Sequence, residues 1–400
     1  MKILIIDEEF PWPLDSGKRI RTFNLVSRLA SHHEIRFVAY GDESSGGFNH
    51  LVSCGITPIA VPARVPRKSG PMFYLRLLKN VFSPWPYIVS SHYSRLFART
   101  LEAEMVRQRP DIVTCEWSPY ARYFRELPAV KRLVVTQNIE HLIWQRYFAN
   151  ESNPVKRWYI GHQMRKVERF EREVFAWADG AVAVSEAEAE TIRQFAPGLP
   201  VTVVENGVNL DYFAPQPLPD DSSRLVFVGS MDWRPNQDAV RYFINDILPA
   251  VERIGTRCEI DLIGRHPPRD LMALKNRPGV NLIGHVDDVR PFVANAAVFV
   301  VPLRIGGGTR IKILEALAMK KAVVSTSVGA EGLKVTDGEN ILLADTPVLF
   351  AEKIKRLLDD RALNRRLGEN GRRLVEEHYG WDRLAAKLND AITDICRARG

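Results

Sequence analysis

Residues 302–327 read PLRIGGGTRIKILEALAMKKAVVSTS. The apolar run VFVVPL (298–303) leads into them and ends at Leu303. Gly306, Gly307 and Gly308 follow; without β-carbons they let backbone approach whatever lies beside them. A helix is expected from Thr309, with Glu315 about two turns in, and AVVST (322–326) is a second apolar run. Strand, glycine turn, helix and strand make the repeating unit of a parallel sheet covered by helices on both faces.

The alternation extends in both directions. Before the triplet come LVFVG (225–229), EIDLIG (259–264) and VNLIG (280–284); after it come NILLA (340–344) and helical sequence from Pro347 onward. A similar series fills the first half: KILII (2–6), EIRFVA (34–39), 56–61, DIVTC (111–115), RLVVT (132–136), GAVAV (180–184) and 201–204, with a long charged helix over 155–177. Between the halves, 206–223 holds Pro215, Pro217, Pro219, Asp220 and Asp221, the composition of a linker. The expected domains are therefore 1–205 and 224–380, both α/β, with a cleft between them. Ligands of such sheets bind outside the carboxyl ends of the strands.

A chain of 400 residues, 46% apolar and 26% charged, is a soluble globular protein of two large domains. This composition excludes a disordered chain, a collagen and a disulfide scaffold. Cys54, Cys115, Cys258 and Cys396 lie far apart with no CxxC pair, which argues against structural zinc and fits a reducing cytoplasm. The net charge of +7 favours anionic partners, but no nucleic-acid-binding signature accompanies it. The start MKILIIDEEF reads as a buried strand and not as a signal peptide, and no run of apolar residues is long enough to span a bilayer. One segment, 64–85, sets Arg64, Arg67, Lys68, Arg76 and Lys79 among Phe73, Tyr74, Leu77, Leu78, Phe82 and Trp85. It reads either as a helix packed on a domain core or as a peripheral contact with an anionic membrane.

The glycine triplet opening a helix, with Arg304, Arg310 and Lys312 within nine residues, suits a diphosphate. Glu315 cannot serve a phosphate but can accept bonds from two neighbouring hydroxyls, such as those of a ribose. The plainer alternative is a glycine loop with solvated basic residues. The stretch is neither a P-loop nor the GxGxxG fingerprint. The other strand ends, 229–236, Gly264-Arg265-His266 and Gly284-His285, are further candidates for a base and a phosphate. Asp288 reads as a possible helix cap, and the histidines show no metal-ligand spacing.

Taken together, these residues resemble the retaining glycosyltransferases of group 1, often called family 4, in the subgroup of exopolysaccharide sugar transferases. The resemblance is carried by the turn at Gly17, VAVSEAEAETI (182–192), VVENGVNLDYF (203–213), FVGSMDWRPNQDAV (227–240), LIGR (262–265), PLRIGGGTRIKILEALA (302–318) and VVSTSVGAEGL (323–333). It implies the GT-B fold, two Rossmann-like domains facing each other across a cleft, with the terminal helix 381–400 crossing back to the first domain. It also implies a UDP- or GDP-sugar donor, a glycan or lipid-linked acceptor, and no required metal or other cofactor.

Within the family's E-x7-E motif, Glu315 matches the second glutamate, which bonds the donor ribose; the first falls at Gly307, so its carboxylate is absent. Gly308 and Thr309 would offer backbone N–H groups instead. The family's arginine and lysine after the first strand of the second domain fall at Ser230 and Asn236, leaving Arg234, Arg304, Arg310 and Lys312 to supply the charge. The histidine that relatives carry after the 132–136 strand is Gln137 here; it can position a hydroxyl but cannot take a proton near neutral pH. His141, four residues on, either reaches inward or lies on a helix surface, and Glu116 is another possible cleft residue. Two other readings fit the same residues: a nucleotide-sugar epimerase of similar fold, and a non-catalytic subunit that binds a sugar nucleotide.

Overall fold

The structure, a computed structural model, describes residues 1–62, 66, 69–216, 223–305 and 311–398. The chain forms two compact units, Met1–Glu205 with Asp382–Gly400, and Asn206–Trp381. Of the expected linker, 206–216 belong to the second unit and 217–222 lie outside the described residues.

The first unit is built on seven strands: β1 (Lys2–Glu9), β2 (Glu34–Tyr40), β3 (Thr57–Val61), β4 (Ile112–Cys115), β5 (Lys131–Val135), β6 (Gly180–Ala183) and β7 (Val201–Val203). Their order is β3-β2-β1-β4-β5-β6-β7, and all neighbours are parallel. β1 lies inside the sheet with helices over both faces, so Ile3 to Ile6 are all 1% exposed or less. Burial on both faces is why KILII reads as an unbroken apolar run and not as an alternation. The terminal helix Trp381–Arg397 belongs to this unit from Asp382 onward and buries Leu384, Leu388 and Ile392. It is pinned by Asp382 to Arg28 (2.6 Å) and by Asn389 to His33 (2.6 Å).

The second unit repeats the plan with β8 (Arg224–Val228), β9 (Glu259–Ile263), β10 (Val280–Gly284), β11 (Val298–Val301), β12 (Ala322–Ser325) and β13 (Leu342–Leu343). The order is β10-β9-β8-β11-β12-β13, again parallel. Two strands are shorter than the apolar runs suggest. β11 stops at Val301 because Pro302 has no N–H to continue the ladder. β13 begins at Leu342 because Asn340 is held in a turn, its side chain accepting from the Thr336 N–H at 2.9 Å. In both sheets the strand order reverses beside the first strand, between β1 and β4 and between β8 and β11. A crevice opens at such a switch point, at the carboxyl ends of the strands.

Candidate active site

At the switch point of the second unit, the ends of β8 and β9 come together with the helix Ile311–Ala318. Gly229 continues β8, and its N–H bonds the Ile263 carbonyl at 2.9 Å. A β-carbon on Gly229 would sit 2.6 Å from the Lys312 ammonium and 2.8 Å from the Asn236 amide carbon, so any side chain there would displace these two groups. Lys312 reaches over this glycine and donates to Asn236 Oδ1 at 2.9 Å, and Asn236 in turn donates to the Ser230 carbonyl at 2.8 Å. Arg265 donates to the Ser230 hydroxyl at 3.1 Å, which donates to Asp232 at 2.7 Å. Two cations from different elements are thus fixed around Gly229 and Ser230, Lys312 by the neutral Asn236 amide and Arg265 by the Ser230 hydroxyl and, 3.8 Å away, the Asp232 carboxylate.

Glu315 lies three residues beyond Lys312 on the same helix face. Burial pushes its carboxyl up to about 7, against the pull of the Lys312 charge. Near neutrality it can therefore donate as well as accept. Arg304 is differently engaged: its guanidinium forks onto Asp238 at 2.7 and 3.1 Å and lies 4.4 Å above the Tyr242 ring, so its charge is already balanced. Arg234 is exposed at the start of the helix Arg234–Tyr242. Gly307, Gly308, Thr309 and Arg310 lie outside the described residues. Asp288 accepts from the Arg290 N–H at 2.9 Å and from its guanidinium, a local turn one residue before Val289, which holds the cap position of the helix Arg290–Asn295.

The first unit's switch point is chemically different. Ser16 caps the helix Gly17–Leu29, which places Lys18 in the first turn. Lys18 reaches back to Asp7 (2.6 Å) and Glu8 (3.5 Å) at the end of β1 and sits 5.1 Å from the Trp117 ring. Burial opposes the Lys18 charge, but the two carboxylates outweigh it and hold its pKa above the ordinary value. His92 Nε2 lies 3.3 Å from Glu8. Glu116 follows β4 and is 2% exposed. Burial drives its carboxyl up to about 8; the neighbouring Asp7 adds to this and Arg21 opposes it. Glu140 is raised to about 7, also by burial, although the Trp117 indole donates to it at 2.8 Å.

Gln137 directs its amide at the Glu116 carbonyl, 3.4 Å away. His141 is not a solvated helix-surface residue: its side chain is 12% exposed and its Nδ1 lies 2.8 Å from the buried Glu171 carboxylate. Glu171 also accepts the N–H groups of Glu140 (2.7 Å) and His141 (3.1 Å), fixing the start of the helix Glu140–Asn150. Sequence reasoning passed over Asp7, Lys18, Glu140 and Glu171. The acids that end the KILII run were a usable signal, because charge at the end of a switch-point strand faces a crevice. Nothing in the spacing couples Glu171 to His141, thirty residues before it.

Two parallel sheets of this order, each with polar groups gathered at its switch point, define paired Rossmann-like units of the GT-B fold. Residues 16–207 match the model of the glycosyl transferase 4-like domain, and residues 222–360 match that of glycosyl transferases group 1. The chain belongs to the group 1 glycosyltransferases and is a glycosyltransferase enzyme. It is 20% identical over 393 residues to an uncharacterized 44.6 kDa protein in the cps region of Klebsiella pneumoniae, covering 94% of this chain and 96% of that one. Over 131 residues it is 33% identical to the capsular polysaccharide biosynthesis glycosyltransferase CapM of Staphylococcus aureus, 31% of this chain and 34% of the relative. Among solved structures, Anabaena Alr3699/HepE in complex with UDP and glucose superposes with a TM-score of 0.67 at 12% identity, covering 98% of this chain and 99% of that one. The family match favours sugar transfer over the epimerase and binding-subunit readings.

Proposed function

We propose that this enzyme is a retaining glycosyltransferase that moves a sugar from a nucleotide-diphosphate donor to a glycan or lipid-linked acceptor in cell-surface or exopolysaccharide synthesis. The observation that carries the reading is the Lys312 ammonium seated on Asn236 above Gly229. Asn236 stands where relatives carry their own lysine, so the helix Ile311–Ala318 delivers a cation to the place where the sequence lost one. Arg265 adds a second cation beside Ser230. Arg234, the Arg310 guanidinium and, on the resemblance, the Gly307 turn with the backbone N–H groups of Gly308 and Thr309 complete the diphosphate site, and Glu315 takes the ribose. Gly17, Gln137 and His141 are assigned to the sugar end. A complex of a structural neighbour with UDP and glucose is consistent with a UDP-sugar donor.

In the reaction, the bond between the anomeric carbon and the β-phosphate oxygen breaks, and negative charge grows on the leaving diphosphate. Lys312 and Arg265 stabilise that charge from fixed positions, so little reorganisation is needed as it forms. The acceptor oxygen bonds the anomeric carbon from the side the diphosphate leaves, and its proton passes to a diphosphate oxygen. The products are a glycoside and a nucleoside diphosphate. This route uses no side-chain base, which suits a chain with Gln137 in place of a histidine. No described helix is long and apolar enough to cross a membrane, and contact with the inner face of the cell membrane is assigned to 64–85. Of that segment, Arg64, Arg67 and Lys68 lie outside the described residues.

Incubation with UDP- and GDP-sugars, with and without membrane-lipid and glycan acceptors, tests the reading. The expected result is nucleoside diphosphate release that depends on an acceptor. An isomerised donor would mark an epimerase, and binding without either product would mark a non-catalytic subunit.

A further inference from the structure

The helix Pro71–Val81 in the first unit has an inverted polarity. Its buried residue is Asn80, whose side chain accepts from Gln163 (2.9 Å) and donates to the Trp85 carbonyl (3.1 Å) and the Ser90 hydroxyl (3.2 Å). Lys166 closes its last turn by donating to the carbonyls of Asn80 (2.7 Å) and Val81 (3.1 Å), where a cation also suits the helix dipole. Polar bonds therefore hold much of the inner side, with half-buried Phe73 and Leu77 beside them. Apolar residues crowd the outer side: Met72, Tyr74, Leu78 and, just past the helix, Phe82 are 62, 68, 62 and 85% exposed. A helix that serves only a domain core turns such residues inward. An apolar face this size left in water marks a binding surface.

A cavity of about 510 Å³ lies against the flank of this helix, a volume in the range of small-molecule sites. Arg76 and Lys79, one turn apart, line it together with Tyr87, Ser90 and Ser91. The Tyr87 hydroxyl is buried and has no hydrogen-bond partner among the described residues. Lys79 is itself exposed, so the apolar face and the cavity share a basic border. The surrounding sequence has one sign: between Glu43 and Glu102 there are seven Lys and Arg and no Asp or Glu. A protein partner would need only the apolar face. The charge and the hydroxyl-rich cavity beside it fit an anionic lipid, whose chains and headgroup make these two demands at adjacent places.

We propose that this cavity takes the phosphate-bearing headgroup of a membrane lipid while the outer face of the Pro71–Val81 helix lies in the bilayer surface. As a statement about the acceptor the proposal rests on the transferase reading; as a statement about lipid binding it stands apart from it. Arg76 and Lys79 meet the phosphate charge, Tyr87 supplies a donor, and the serines face the polar remainder.

The test is co-sedimentation of the full chain with phosphatidylcholine vesicles carrying hexadecyl phosphate, hexadecanol, or oleate matched to the phosphate vesicles in surface charge. Phosphate vesicles are expected to bind about tenfold more tightly than oleate vesicles, since a phosphate accepts more charge-assisted hydrogen bonds. Hexadecanol vesicles should bind weakest. Arg76→Gln and Tyr87→Phe should each remove most of the preference for phosphate. Leu78→Asp with Phe82→Asp, both on exposed positions, should abolish binding to all three. Equal binding to phosphate and oleate vesicles, unchanged in Tyr87→Phe, would overturn the headgroup site; no vesicle binding at all would overturn the whole proposal. UDP and GDP binding, read by thermal shift on the same samples, separates the two readings. Vesicle binding without nucleotide binding counts against the transferase, and the reverse counts against this site.

Discussion

The two sheets share a strand order around their first strands, yet their switch points carry opposite chemistry. In the second unit, Lys312 donates to the neutral Asn236, Arg265 to the Ser230 hydroxyl with Asp232 3.8 Å away, and Glu315 is pushed toward neutrality. In the first unit, Asp7, Glu8, Glu116, Glu140 and Glu171 gather around Lys18, Arg21, His92 and His141. The backbone topology provides a crevice at each place, and the side chains decide what may enter it. In the proposed function the crevice with Lys312 and Arg265 is the one that receives the diphosphate. The crowded acidic one instead holds Glu116 and Glu140 protonated near neutrality by burial.

Removing the cation from the basic side should have the largest effect. Lys312→Ala is expected to lower the rate of nucleoside diphosphate release by about 100- to 1,000-fold, the scale of one lost transition-state contact, with the fold intact by circular dichroism. A rate within about threefold of the parent would move the leaving-group role to Arg265 and Arg234.

On the acidic side, the effect is on stability. Glu116 titrates near 8 in the fold against 4.5 ordinarily, so the folded state binds the extra proton between those values. Its contribution is therefore most favourable below about pH 4.5, worsens as pH rises, and levels off above about pH 8. Glu116→Gln should leave urea stability at pH 5 nearly unchanged and raise it at pH 8.5 by roughly 2–4 kcal/mol. A variant that loses stability with pH as steeply as the parent would show that Glu116 is not the source.

Gly264→Ala asks whether the two crevices fail separately. An added β-carbon would collide with the Gly229 carbonyl, and such overpacking costs about 1–3 kcal/mol. Hydrogen exchange should quicken around β8 and β9 and stay unchanged around β1 and β4; loosening of both would mean that the units do not fold independently.

The smallest effect is expected at Glu315. If its ionised form bonds the ribose, nucleotide binding draws its pKa down from about 7, so affinity should rise as pH increases through 7 with release of a proton. Glu315→Gln should weaken nucleotide binding by about 1 kcal/mol and abolish the proton release seen by calorimetry in buffers of different ionisation heat.

Much of the fold was legible because strands buried on both faces announce themselves as unbroken apolar runs, and each run found in the sequence corresponds to a strand. Errors fell at the ends: Pro302 cut β11 short and a side-chain bond from Asn340 trimmed β13, neither of which alters the apolar pattern. Lys312 and Glu315 were legible as a pair because three residues on one helix share a face. Arg304 looked equivalent to Lys312 in the sequence. Its commitment to Asp238, sixty-six residues away, was invisible there because ion pairs between elements follow the packing of helices and not their spacing. The same holds for Glu171 beneath His141 and for the outward turn of Leu78 and Phe82.

The amino-acid order alone settled the succession of strands and helices, the division into two α/β halves and the supply of basic groups near one glycine turn, since these follow from local pattern and composition. Folding settled which charges are neutralised and which carboxyls keep a proton. It also decided which apolar side chains remain in water, because burial and pairing depend on neighbours that sequence distance does not reveal.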